Sequence, residues 1–240
     1  MKRNKKSTKS RKAGVVAIIP ARGGSKSIPK KNIKMLSNKP LIAYPIELAK
    51  SISAIDRVIV STDSEEIAKI ANIYGAETPF IRPKQLAKDS TPTLPVLQHA
   101  VKHLEKKEGY KTDIILLLYP TNPLLRRDAV IEAIKLLKKD NCNSVVSVEE
   151  DYGRYWVHDK KSREYIPFYP KKRVNRQLYK PLYKENGAIY FSKYNVIMNK
   201  NKLVDDKNVQ FIIMEPGALI DIDTWRDWKN AEKQIGKNRK

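Results

Sequence analysis

The chain has 240 residues, enough to bury one full α/β core with a small appendage, and 41% hydrophobic beside 31% charged residues is ordinary for a globular protein. No apolar run approaches the roughly 18 residues that a membrane helix needs, and the N-terminus lacks the apolar centre of an export signal, so neither a membrane protein nor a secreted one is expected. Lys and Arg total 48 against 26 acidic residues, a net +22 that keeps a nucleic-acid-binding protein among the possible classes.

Much of that excess lies in two polar tails. Lys2, Arg3, Lys5, Lys6, Lys9, Arg11 and Lys12 crowd the start, and Lys237, Arg239 and Lys240 close the chain. Residues 1–13 and 236–240 read as disordered, solvated ends, with a nuclear-import signal or nucleic-acid arm as the alternative. The single cysteine, Cys142, has no partner for an internal disulfide, in keeping with a reducing, cytoplasmic compartment.

The first element is the β-branched run Val15–Ile19, the pattern of a strand buried on both faces, halted by Pro20, which cannot donate to a ladder. A turn follows, Ala21-Arg22-Gly23-Gly24-Ser25-Lys26, and then a lysine-rich segment ending Lys30-Lys31-Asn32. Paired glycines let backbone approach a bulky anion, and Arg22, Lys26, Lys30 and Lys31 supply the opposing charge. That is the composition of a loop holding a polyphosphate at the carboxyl end of a strand. The adjacent glycines exclude the Walker pattern, and G-x-G-x-x-G is absent. An ordinary basic surface loop is the competing reading.

Further along, Pro45 to Ser51 has helical period, and Arg57 to Asp63 reads as a second buried strand with a polar carboxyl end. Ser64 is the expected cap of a helix from Glu65 to Tyr74 that Gly75 stops. An extended piece, Glu77 to Ile81, and a loop containing Asp89-Ser90-Thr91-Pro92-Thr93 lead to a helix from Leu94 to Lys106. Asp113 to Pro120 is a third apolar strand, Asp128 to Lys139 a helix, and Ser144 to Val148 a fourth strand. Strands alternating with helices imply a parallel sheet covered on both faces, which binds ligands at the carboxyl ends of its strands.

Between Glu149 and Glu185 the rhythm breaks into an aromatic, basic stretch without clear period. It suits either a nucleic-acid platform or a subunit contact. Strands are expected again at Gly187–Phe191, Val209–Met214 and Ala218–Thr224, with Asp223 or Thr224 opening a last helix from Trp225 to Gln234. In a strand, Asp221 and Asp223 share one face about 7 Å apart, where together they can hold one hard cation. Magnesium, which takes one or two carboxylates plus phosphate oxygens and water, is the expected ion. The alternative makes Asp223 a helix cap and Asp221 a solvated strand end.

The fingerprint I-P-A-R-G-G-S-K-x-x-x-x-K-N resembles the opening loop of the acylneuraminate cytidylyltransferases, which activate sialic and related nonulosonic acids. Further blocks resemble that family in order: Ser61-Thr62-Asp63, Ala76 to Pro83, Asp89 to Thr93, Pro120 to Leu124, Ser144 to Val148, Asn186 to Tyr190 and Ile220 to Thr224. The resemblance implies a Rossmann-like α/β nucleotidyltransferase domain with a mostly parallel sheet, over 14–148 and 186–235, and a small inserted dimerisation and substrate subdomain over 149–185. It implies a homodimer and the joining of CTP to a nine-carbon 2-keto sugar acid with release of pyrophosphate; no membrane partner is expected from the apolar runs, and the absence of any use for Asp221-Ile222-Asp223 in nucleic-acid binding weighs against that class.

By matched position, Arg22, Gly23, Gly24, Ser25, Lys26, Lys31 and Asn32 would bind the triphosphate and ribose, and Arg82, Thr91 and Thr93 the cytosine and its ribose. Arg176, Gln177 and Asn186 would meet the sugar acid, Arg176 facing its carboxylate. Asp221 and Asp223 would hold Mg2+, and with Arg22 and Lys31 would form the catalytic set. One position departs from the family pattern. Tyr119 stands where members that act on sialic acid carry glutamine, so a differently decorated acid, such as legionaminic or pseudaminic acid, is open. A Kdo-type, phosphonate or sugar-phosphate nucleotidyltransferase on the same fold is the alternative within the class. His99, His103 and His158 read as surface or core residues.

Overall fold

The computed structural model describes residues 14–139 and 141–237. The expected tail 1–13 lies outside them, and the last helix runs on through residues 236 and 237. Among the described residues ten strands occur: β1 (Val15–Pro20), β2 (Met35–Leu36), β3 (Lys39–Pro40), β4 (Arg57–Ser61), β5 (Ile114–Leu117), β6 (Ser144–Asp151), β7 (Tyr155–Asp159), β8 (Glu164–Tyr169), β9 (Leu182–Lys193) and β10 (Val209–Met214). The α-helices are α1 (Ala43–Lys50), α2 (Glu65–Ile73), α3 (Thr93–Glu108), α4 (Arg127–Leu137) and α5 (Trp225–Lys237). Ser64 caps α2 as expected, its Oγ accepting the Ile67 N–H at 3.4 Å.

Six strands form the central sheet in the order β10-β6-β9-β5-β1-β4. β4, β1 and β5 are mutually parallel, as are β6 and β10, while β9 runs antiparallel between β5 and β6. The side chains of β1 show why the sheet needs cover on both faces. Val15, Ala17 and Ile19 pack with Ile42, Ile46, Ile67 and Ile134 on one side, and Val16 and Ile18 pack with Leu97, Val101 and Leu104 of α3 on the other. Each fully buried Ile or Val of this kind contributes about 1.5–3 kcal/mol.

One stretch gains a form that the sequence left open, and one expectation is corrected. The stretch after β6 is ordered as an arm: β7 and β8 form an antiparallel hairpin, and the 3-10 turn Arg176–Leu178 leads back towards β9. Trp156, Tyr165 and Phe168 on the hairpin are exposed, so neither face carries the apolar–polar contrast that marks a strand in a sequence. Secondly, Ala218–Thr224 is not a strand. After Gly217, at φ +76°, the chain runs beside Thr121, tied by the Ile222 N–H to the Thr121 carbonyl at 2.9 Å. Ile222 is buried with Ile28, Leu36 and Trp228, which satisfies the apolar pattern without a ladder.

Candidate active site

Because β4, β1 and β5 are parallel, their carboxyl ends bring Thr62-Asp63, the loop after Pro20 and Tyr119-Pro120-Thr121 to one edge of the sheet. β9 runs the other way, so its beginning, Glu185 to Gly187, reaches the same edge. Two cavities open there, and Tyr119 and Thr121 line both.

The smaller cavity, of about 240 Å3, is cationic: Arg22, Lys31, Arg82 and Lys88 face one carboxylate, Asp89. Ser25, Asn32, Thr91 and Thr93 complete its polar wall. Gly23 allows a close approach, since a Cβ there would stand 3.2 Å from that of Ser64, and its N–H donates to Asp63 Oδ1 at 2.9 Å. Gly24 is exposed with open space around it. Asn32 is buried, donating through Nδ2 to the Arg22 carbonyl at 2.9 Å, so it shapes the loop from within.

Asp89 bridges two of the loop cations, one oxygen on Arg22 and the other on Lys26, whose side chain is mostly exposed at the rim. Those hydrogen bonds hold the Asp89 carboxyl below its usual range. Lys30 turns away to pair with Glu66 at 2.9 Å. Arg82 is buried, its guanidinium donating to Ser61 Oγ and the Ser61 carbonyl. Burial pushes it down to about 10, against the pull of Asp63, and it stays cationic at neutral pH.

The larger cavity, of about 750 Å3, has the opposite sign. Glu185, Asp206, Asp221 and Asp223 line it with a single lysine, Lys202. Asp221 is held above its usual range mainly by desolvation. Although their segment is not a strand, the buried Ile222 turns inward and both neighbouring carboxylates face the cavity. Asp223 is not the helix cap: Thr224 Oγ1 accepts the Asp227 N–H, and Asp227 returns to the Thr224 N–H at 2.8 Å. Two cavity-facing carboxylates free of capping fit magnesium, whose remaining ligands come from phosphate and water. Among the described residues no group of three or more His, Cys, Asp or Glu side chains forms a metal cage. Lys31 joins the two halves, its Nζ donating to the Ile222 carbonyl at 2.7 Å and to Asp223 Oδ1 at 3.2 Å.

Tyr119 is placed between the cavities, and its hydroxyl is engaged with Thr93 Oγ1 at 2.7 Å. Arg176 and Gln177 line neither cavity. They sit on the arm, with the Arg176 guanidinium 4.3 Å over the Tyr152 ring. Asn186 turns inward, accepting from Ser147 Oγ at 2.5 Å. Sequence reasoning missed Glu185, Tyr190, Lys202 and Asp206. Glu185 and Tyr190 flank or fall in a block already singled out, but the segment holding Lys202 and Asp206 carries no motif.

A family model described as cytidylyltransferase matches residues 16–227. CMP-N,N'-diacetyllegionaminic acid synthase of Legionella pneumophila is 31% identical over 94% of this chain and 97% of its own. Pseudaminic acid cytidylyltransferase of Campylobacter jejuni is 33% identical over 90% of this chain and 94% of its own. N-acylneuraminate cytidylyltransferase A of Danio rerio is 34% identical over 97% of this chain, which spans 53% of that longer protein. The solved structure of CMP:2-keto-3-deoxy-manno-octonic acid synthetase complexed with CTP aligns over 94% of this chain and all of its own, with a TM-score of 0.71 at 17% identity, a likeness of fold. The chain belongs to the cytidylyltransferase family.

Proposed function

We propose that this chain activates a nonulosonic acid: CTP and a nine-carbon 2-keto sugar acid give the CMP-sugar acid and pyrophosphate. The observation that carries this reading is the pairing of a cationic cavity with an acidic one across a shared wall, at the edge where the family's sheet presents its loops. The cationic side takes the nucleotide. Arg22, Lys26 and Lys31 neutralise the triphosphate, while Arg82, Thr91 and Thr93 face the nucleoside. The acidic side takes the sugar.

The anomeric hydroxyl oxygen attacks the α-phosphorus, the bond to the pyrophosphate oxygen breaks in line so that pyrophosphate leaves with the electron pair, and the hydroxyl proton passes to solvent. The protein's work is positioning and charge neutralisation. Asp221 and Asp223 would hold magnesium, which supplies further neutralisation of phosphate oxygens and makes the sugar hydroxyl more acidic. Lys31 keeps their loop against the nucleotide loop.

Arg176 and Gln177 meet the sugar acid only if an arm is brought to the cleft. A homodimer would do this, and the exposed Trp156, Tyr165 and Phe168 are the surface on which we expect two copies to pair. Light scattering tests it: a dimer for the wild type, a monomer for Trp156→Ser with Phe168→Ser. CTP as substrate and the lone Cys142 both suit the cytoplasm. No helix among the described residues is long and apolar enough to cross a membrane.

The test of the reaction is magnesium-dependent pyrophosphate release. Asp221→Ala and Asp223→Ala should each reduce it by about 100-fold or more. Undiminished turnover in both would sink the metal assignment.

A further inference from the structure

The acidic cavity raises a question of polarity that rests on the proposed function. Its charged wall is rich in acceptors, and the Tyr119 hydroxyl is already engaged with Thr93. Lys202, the one cation of that wall, is paired with Asp206 at 2.5 Å. A ligand that fills such a space must bring donors.

Glu185 is the acceptor best prepared to meet them. It lies on β9 beside Gly187 and in the wall of the cavity. Tyr190, five residues on and in the same wall, donates its hydroxyl to Glu185 Oε2 at 2.8 Å. Burial and the neighbouring Glu185 both push the Tyr190 phenol up, so it remains a donor across the working pH range. One carboxylate oxygen is thereby fixed. The other, Oε1, has no hydrogen-bond partner among the described residues.

We propose that Glu185 is a specificity-determining residue of the sugar cavity, oriented by Tyr190 and accepting an acylamino N–H of the sugar acid. A carboxylate is acceptor-only, so it favours a group that can donate and penalises an isostere that cannot. The acyloxy analogue, with an ester oxygen in place of N–H, is that isostere. Tyr119 then contributes its ring and its tie to the nucleotide wall, and the polar discrimination falls to Glu185.

The experiment measures kcat/KM with saturating CTP for matched sugar acids in which each acylamino group is replaced in turn by acyloxy. The wild type should prefer the acylamino form at one position by about 10- to 100-fold. In Glu185→Gln the side-chain carbonyl takes the Tyr190 hydroxyl and an NH2 donor faces the sugar. That preference should fall to within about threefold or invert, with the KM for CTP unchanged. Tyr190→Phe leaves the carboxylate unoriented and should lose part of the preference. An intact preference in Glu185→Gln, or a rise in the KM for CTP as large as that for the sugar, would overturn the role. A wild type that turns over other sugar acids but shows no acylamino preference would overturn it alone. A wild type inert towards every acid would overturn it together with the proposed function.

Discussion

The two cavities of the cleft differ in sign and in how the chain builds them. The cationic one draws most of its wall from two continuous stretches, Pro20–Asn32 and Arg82–Val96. The acidic one collects Leu94, then Tyr119 and Thr121, then Glu185, Gly187 and Tyr190, then Asn201–Val204 with Asp206, and lastly Asp221 with Asp223, from five separate places. A site written in one or two loops leaves a motif with spacing. One assembled by packing leaves isolated polar residues that look like solvated surface. The cationic cavity was therefore legible in the sequence, and most of the acidic one was not.

The sharpest way to break this contrast is through Lys31, which belongs to the cationic wall and holds the Asp223 loop. Lys31→Ala should lower kcat/KM by about 100- to 1,000-fold and raise the KM for both substrates. An effect confined to CTP would separate the two halves.

A second change addresses the acidic wall alone. Buried Asp205 anchors the 200–207 loop, accepting from Lys200 Nζ at 2.6 Å, Asn143 Nδ2 at 2.8 Å and the Lys207 N–H at 3.2 Å. Asp205→Asn should cost about 1–3 kcal/mol of stability and raise the KM for the sugar acid while leaving that for CTP. Lys200 and Asn143 hold the Asp205 carboxyl well below its usual range. The unfolded chain thus binds the proton more readily than the fold does. The contribution is complete above the ordinary carboxylate pKa of about 4 and is lost as pH falls towards the folded value. Thermal melts between about pH 7 and 3 should show the wild type losing stability on acidification more steeply than the variant.

The smallest effect is expected at Asp89. Its carboxylate occupies Arg22 and Lys26, the cations assigned to the triphosphate. Asp89→Ala should lower the KM for CTP by up to about threefold, exposed ion pairs being weak, and leave the sugar acid unaffected. A rise would mean that Asp89 positions Arg22 for the nucleotide.

The fold was readable to different depths for physical reasons. The run Val15–Ile19 could be only a doubly covered strand, and the helix ends followed from Ser64 and Gly75. Nothing in Gly187–Phe191 encodes its direction, because an apolar run reads alike in parallel and antiparallel settings, and β9 proved antiparallel. Ala218–Thr224 alternates like a strand, yet Ile222 satisfies its apolar character by packing under α5. Tyr119 was singled out from the family pattern alone, and nothing in its neighbourhood in the sequence announces the bond between its hydroxyl and Thr93.

In the proposed reaction one cavity takes CTP and its neighbour a sugar acid, so that the two react across the wall they share. Pyrophosphate release by the purified chain, with CTP and a panel of nonulosonic acids each supplied alone and together, tests it most directly. Release is expected only when both are present, with one CMP-sugar acid formed per pyrophosphate. Release from CTP at a rate indifferent to the sugar acid would contradict it.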